Sequence, residues 1–217
     1  MKAIFVTGTD TNVGKTIVTG LLARYFLDKG YRVITQKWIE TGAKIFSTDI
    51  ETNVAPYIFK FAASPHLASD MEKRKIDANK IKKSFNILSK QFDFVIVEGT
   101  GGLLVPYNKN KLIIDIAVEL NLPVLVVAAN KLGAINHTLL TVEAIRARNI
   151  KMLGIVFNNT DKNENKIVIK DNPQIISKLT GEEVLGILPW QKNKGLLYKA
   201  FIPIADRIFN KMIGKTI

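Results

Sequence analysis

Short, almost uninterrupted apolar runs alternate along this chain with longer stretches whose apolar residues recur every three or four positions. The first run, KAIFVT at Lys2–Thr7, predicts a strand buried on both faces. Runs of the same kind at Tyr31–Lys37, Phe92–Gly99, Pro123–Ala128, Lys151–Asn158 and Glu183–Pro189 predict five more. Between them the spacing changes to that of helices. At Lys15–Lys29, Ile17, Val18, Leu21, Leu22, Tyr25 and Phe26 form one stripe, and Gly30 suits the turn that ends it. Similar patterns predict helices near Ile76–Lys90 and over Ile113–Leu120 and Ile135–Arg148. Asn172 and Pro173 read as an N-cap and first-turn pair opening another helix. Pro203 reads as the first turn of a last helix that carries Ile204, Ile208, Met212 and Ile213.

Continuous apolar strands separated by helices predict an α/β fold, doubly wound, with a mainly parallel sheet covered by helices on both faces. Right-handed crossovers then bring every strand-to-helix loop to one edge of the sheet, where such folds bind ligands. No repeat or low-complexity linker interrupts the pattern. The polar stretch Asn158–Lys166 reads as a surface loop, so residues 1–217 are expected to form one domain.

Composition narrows the possibilities. The longest apolar stretch, Leu122–Ala129, is far short of the ~20 residues a bilayer-spanning helix needs, and MKAIFV is too short for a secretory signal. A cytoplasmic protein without a membrane partner is the expectation. The chain has no cysteine, which excludes disulfides, thiolate metal sites and a cysteine nucleophile. Its 31 Lys and Arg against 19 Asp and Glu give a net charge of +12, a balance that favours polyanionic partners. The basic residues are scattered, however. Their one concentration, Glu72–Lys83, carries no interleaved aromatics and leads into Ile81, Phe85 and Leu88 at helical spacing. It reads as a solvated helix face, and no nucleic-acid partner is expected.

The strongest chemical signal is FVTGTDTNVGKTI at Phe5–Ile17, a glycine-bearing loop between a strand and a helix. Backbone N–H groups of such a loop and of the helix start surround a polyphosphate. Lys15 would reach the β- and γ-phosphates, and the Thr16 hydroxyl would ligate Mg²⁺. Five residues separate Gly8 from Gly14, so Thr9 stands where the strict phosphate-loop pattern has its first glycine. A second signal, FDFVIVEGTGGLLVP, ends a hydrophobic strand in Glu98 at the same expected edge, where P-loop proteins place a metal-holding acid. A third is QKWIETG, whose Lys37 would add a second cation beside the triphosphate. The alternative for both strand-end charges is simple solvation.

GTDTNVGKT, KWIETG, SPH (Ser64–His66), VEGTGGLLVP, KLGAIN (Lys131–Asn136) and GILPW (Gly186–Trp190) follow one another in this order. Together, over nearly the whole chain, they resemble the dethiobiotin synthetases, ATP-dependent cyclo-ligases of biotin synthesis. The resemblance implies a homodimer with its active site at the interface, acting on 7,8-diaminopelargonic acid, CO₂ or bicarbonate, and ATP with Mg²⁺. It implies ATP binding by Thr11, Asn12, Val13, Gly14, Lys15, Thr16 and Ile17, with Asn158, Pro189 and Trp190 around the base. Thr16, Asp49 and Glu98 would hold the metal, with Glu51 a rival to Asp49. Lys37 and Lys15 would be catalytic, and Thr41 would lie beside the reacting amine. Gly133, Ala134, Ile135 and Asn136 would receive the substrate's distant carboxylate. His66 would serve in hydrogen bonding. Trp38 follows Lys37 where the family usually has proline.

The alternative is a dimerising ATPase switch of the partition or septum-placement kind, which shares the fold and binds DNA or membrane. Those proteins carry a second lysine early in the phosphate loop, where this chain has Asp10.

Overall fold

The computed structural model describes residues 2–43 and 53–214. Asp49 and Glu51, both considered above for the metal, lie outside the described residues.

The chain runs β1 (Lys2–Gly8), α1 (Lys15–Asp28), β2 (Val33–Lys37), β3 (Ile39–Thr41), β4 (Asn53–Val54), β5 (Tyr57–Phe59), α2 (Pro65–Met71) and α3 (Ala78–Gln91). It continues through β6 (Phe94–Glu98), α4 (Ile113–Glu119), β7 (Val124–Ala129), α5 (Ala134–Arg146), β8 (Met152–Asn158), α6 (Lys166–Thr180), β9 (Val184–Leu188) and α7 (Lys194–Ile213). Seven strands form one sheet in the order β4-β2-β6-β1-β7-β8-β9, and every pairing in it is parallel. β3 and β5 make a separate parallel pair beside it.

Alternation along the strands sorts the core into two layers. Phe5, Val95, Val97, Val124 and Val126 pack with Ile81 and Phe85 of α3, Ile113 and Ile116 of α4, Val142 and Ile145 of α5 and Ile176 of α6. Ile4, Val6, Phe94, Ile96, Leu125 and Val127 pack on the other face with Val18, Leu22 and Phe26 of α1 and Phe201, Ile204 and Ile208 of α7. The α1–α7 layer is tied by two hydrogen bonds, Tyr25 to Asp206 and Tyr198 to Asp28. Burial and the neighbouring carboxylates push both phenols up, Tyr198 to about 12.

Two bulges interrupt the sheet. Val124 pairs with Met152 but Leu125 with Gly154, so β8 holds one residue more than β7 over that step. The same happens in β9, where Ile155 pairs with Val184 and Val156 with Gly186. At φ +140, and with a Cβ that would meet the Glu183 carbonyl at 2.7 Å, position 154 takes glycine alone.

Two helices differ from expectation. α6 begins at Lys166, capped by Asn165 through Ile167 N–H, so Asn172 and Pro173 lie in its interior rather than at its start. α7 begins at Lys194, capped by Asn193 through two backbone N–H groups, and Pro203 is likewise interior. Pro173 cannot donate to the Ile169 carbonyl one turn back. The side-chain Nδ2 of Asn130 donates to that carbonyl instead, at 2.8 Å, which lets the helix run through the proline. Of the basic stretch Glu72–Lys83 only Ala78–Lys83 lies in α3, where Ile81 and Phe85 are buried and Lys82 pairs with Glu119 at 2.7 Å.

Candidate active site

The loop from Gly8 to Gly14 wraps back over the end of β1, with Asn12 and Gly14 both at positive φ. Gly14 caps α1 in the left-handed conformation. The Lys15 side chain folds back to donate to the Asp10 carbonyl at 2.9 Å and is only 7% exposed. Burial lowers its pKa below the usual lysine range. Glu98 opposes that shift, Lys37 adds to it, and Asp10 opposes it more weakly.

The sheet supplies the opposing charges by register. β6 lies between β1 and β2, with Glu98 level with Val6 on one side and Lys37 on the other. Glu98 therefore sits on the α1 face beside the phosphate loop, 6% exposed, accepting a 2.7 Å hydrogen bond from Thr16 Oγ1. Lys37 Nζ is 3.8 Å from the same Oε1. Lys37 is held by its neighbours in β2 and beyond. Gln36 and Trp38 point to the opposite face, where Trp38 Nε1 donates to Gln36 Oε1 at 3.1 Å and Gln36 Nε2 to Ser84 Oγ at 2.9 Å. Trp38 also stacks on Phe5 at 5.3 Å.

These groups line a cavity of about 460 Å³ that holds Thr11, Asn12, Gly14, Lys15, Thr16, Ile17, Lys37, Thr41 and Glu98. A second cavity of about 270 Å³ shares Asn12, Gly14 and Ile17 with it and adds Asn158, Pro189 and Trp190. The two form one cleft with a charged end and a neutral end. Their junction is close: Asn158 Nδ2 donates to the Val13 carbonyl at 2.9 Å, and a Cβ on Gly14 would lie 2.1 Å from that nitrogen. Ile17, counted above in the core stripe of its helix, is 48% exposed and faces this cleft. Val13 lines neither cavity, and its side chain is buried in the α1–α7 layer.

Gly133, Ala134, Ile135 and Asn136 do not line the cleft. Gly133, at φ +85, caps α5, while Ala134 is buried and Asn136 exposed. Near them a further cavity of about 360 Å³ lies between the start of the phosphate loop, Gly102–Val105 and the α5 residues His137, Leu140 and Thr141. Leu104, Leu132 and Leu140 are exposed around this side of the molecule, Leu132 by 81%. His66 hydrogen-bonds Ser64 Oγ through Nδ1 at 3.0 Å at the start of α2, in keeping with its expected role.

Thr100, Asn159, Thr160, Gln191 and Leu197 line the cleft without having been singled out in the sequence. Thr100, whose hydroxyl donates to the Ile39 carbonyl and so ties the loop after β6 to β3, lines the charged end. Asn159 and Gln191 line the neutral end, each directly following a residue already singled out.

Compared with known proteins, residues 2–195 match the family described as an AAA domain. The ATP-dependent dethiobiotin synthetase BioD 2 of Haemophilus influenzae is 40% identical over 187 residues, 79% of this chain and 98% of that protein. The chain belongs to the dethiobiotin synthetase family. Membership places it among ATP-dependent ligases of the P-loop class. The dethiobiotin synthetase of Thermodesulfovibrio yellowstonii is 38% identical over 88% of this chain and 90% of its own length. That of Halalkalibacterium halodurans is 36% identical over 88% and 85%. Solved structures of other proteins share the fold. The MinC:MinD cell division protein complex of Aquifex aeolicus matches with a TM-score of 0.65 at 14% identity, over 100% of this chain and 98% of that one. A plasmid partition protein of Borrelia burgdorferi matches with 0.68 at 16% identity, over 97% and 98%. At such identities the likeness shows a shared fold alone. No helix among the described residues is long and apolar enough to cross a membrane.

Proposed function

We propose that the protein closes the ureido ring of dethiobiotin, converting 7,8-diaminopelargonic acid, CO₂ and ATP to dethiobiotin, ADP and phosphate. The observation that carries this reading is the convergence of Lys15, Thr16, Glu98 and Lys37 at one end of a nucleotide-sized cleft. A phosphate-binding lysine suffices to hold ATP. A second cation that pairs with the same carboxylate suits a reaction in which one anion must attack another.

One amine of the substrate captures CO₂ as a carbamate. A carbamate oxygen attacks the γ-phosphorus and ADP departs, leaving a carbamic–phosphoric anhydride. The neighbouring amine attacks its carbonyl carbon, phosphate leaves and the amine's proton is lost. Lys15 and Lys37 screen the anion–anion approach in the first transfer. Ring closure is intramolecular, so Thr41 and Lys37 have mainly to hold the reacting groups together.

A threonine hydroxyl and a carboxylate 2.7 Å apart beside a phosphate loop are hard oxygen donors that fit Mg²⁺. Thr16 and Glu98 would hold the ion, with Asp49 the proposed further ligand. When bound, it would neutralise phosphate charge. Asn12, Gly14 and Ile17 bridge the cavities that would take triphosphate and base, with Thr11 and the Val13 backbone beside them and Asn158, Pro189 and Trp190 at the base. The substrate's far carboxylate would meet Gly133–Asn136 of a second copy. The apolar exposure of Leu104, Leu132 and Leu140 beside those residues supports a homodimer that buries this side. Such an enzyme would work in the cytoplasm.

Phosphate release from MgATP tests the reading, measured with and without diaminopelargonate and bicarbonate. Release that requires both co-substrates supports the ligase. Release indifferent to them, or stimulated by DNA or lipid, overturns it.

A further inference from the structure

Asn130 lines neither cavity, yet it is fully buried just beyond β7 and joins three separate parts of the chain. Its backbone N–H donates to the Asn158 carbonyl at 2.8 Å. Its side-chain Nδ2 donates both to Asn159 Oδ1, at 3.0 Å, and to the Ile169 carbonyl that Pro173 leaves unserved, at 2.8 Å. Its Oδ1 accepts from Asn172 Nδ2 at 3.0 Å, and Asn172 is anchored in turn on the Lys131 carbonyl at 3.0 Å. Every polar atom of the Asn130 amide is thereby committed, and the amide cannot turn over without breaking three bonds.

This has a chemical consequence at the neutral end of the cleft. An asparagine amide can present either its oxygen or its NH₂ to a ligand, and a free one turns to suit. Asn158 spends one Nδ2 hydrogen on the Val13 carbonyl, which fixes the way its amide faces, and Oδ1 is the acceptor it brings to the cavity. Asn159 has its Oδ1 committed to Asn130, so what it offers is a donor, Nδ2. An acceptor beside a donor is the complement of a base edge that shows an amino group next to an unprotonated ring nitrogen, as adenine does at N6 and N1. Hypoxanthine shows the reverse, a carbonyl next to a protonated nitrogen.

We propose that Asn130 is a positioning residue for base selection: by locking the Asn159 amide, it makes the cleft favour a 6-amino over a 6-oxo purine. The proposal rests on the reading of this cleft as the nucleotide site. It puts Asn172 in the same role one step further away, and gives the buried asparagines of this region a function beyond carrying α6 past its proline.

The test compares binding of ADP and of IDP, which differ only at that edge, by titration calorimetry with the full chain. It uses wild type, Asn130→Ala, Asn159→Ala and the double variant. Wild type should prefer ADP. Asn130→Ala should narrow the ADP-to-IDP ratio by about tenfold, the scale of one hydrogen bond to the base. In the Asn159→Ala background the same change should narrow it no further. Should Asn130→Ala fail to fold, Asn172→Ala, which removes the donor that holds Asn130 Oδ1, carries the same comparison. A variant that melts earlier while keeping the wild-type ratio overturns the proposal, as does a ratio that still changes when Asn159 is already alanine. Wild type that binds neither nucleotide overturns instead the reading of the cleft on which the proposal stands.

Discussion

The two ends of the cleft are built on different principles. The phosphate end is a contiguous loop plus two strand-end charges, and its parts are held by backbone geometry and by charge: Lys15, Thr16 and Lys37 all bear on Glu98. The other end is neutral, assembled from amides of three separate stretches of chain, Asn130, Asn158–Asn159 and Asn172. Charged groups tolerate some displacement because Coulomb forces act over several ångströms. A reader built from neutral amides does not, because each amide reads correctly only in one of two orientations. The first end should thus govern turnover and the second selection.

Lys37→Ala tests that division most severely. Turnover should fall by about 10³-fold, the scale of removing one preorganised charge from a transition state, while ADP affinity changes little. Steady-state kinetics beside calorimetry separate the two, and a comparable loss of ADP affinity would mean that Lys37 serves the nucleotide rather than the reaction. Gly14→Ala should damage both ends together, since its Cβ would lie 2.1 Å from Asn158 Nδ2 on a backbone at φ +100. We expect nucleotide affinity to drop by about 10²-fold with the fold retained by circular dichroism. Asn158→Ala should raise the KM for ATP by about tenfold and leave kcat within a small factor, the signature of a lost base contact.

The acidity of Lys15 yields a smaller effect with a definite sign. Burial keeps its pKa below the usual lysine range in the free protein, so its proton is lost earlier as the solution becomes alkaline. A bound triphosphate favours the charged form and takes the proton back. As the pH rises toward the usual lysine range, ATP binding should therefore take up protons and weaken. Calorimetry in buffers of different ionisation enthalpy measures the uptake; proton release on binding would contradict the assignment. The smallest change is expected from Trp38→Phe, which keeps the stack on Phe5 but deletes the bond to Gln36. It should cost about 1 kcal/mol of stability by denaturant titration, with turnover reduced no more than a few-fold.

The phosphate end was legible in the sequence for the same reason that it is robust. A loop between a strand and a helix is local, and a carboxylate or lysine ending an apolar run has its place set by the parallel sheet. The six main strands and α1, α3, α4 and α5 follow from hydrophobic period alone. Pro173 and Pro203 misled, because proline is ordinarily a helix start, and the carbonyl it strands is served at Ile169 by Asn130, 39 positions earlier in the chain. No window of sequence contains both partners. Asn130 itself carries no motif, and its meaning lies in four bonds to residues that become neighbours only on folding. The short β3, β4 and β5 lacked the length to show a period.

The bulge at Leu153–Gly154 acts as a phase shifter for the neutral end of the cleft. Before it, Leu153 faces α1; after it, Val156 does, so the alternation skips one beat. Counting on from Leu153 without the extra residue would send position 158 to the α3–α6 side of the sheet, behind the phosphate loop. Counted through the bulge, Asn158 arrives on the α1 side, against Val13 and Gly14. One extra residue at the Leu153–Gly154 step, buried in the sheet, decides on which side of the protein Asn158 comes to lie.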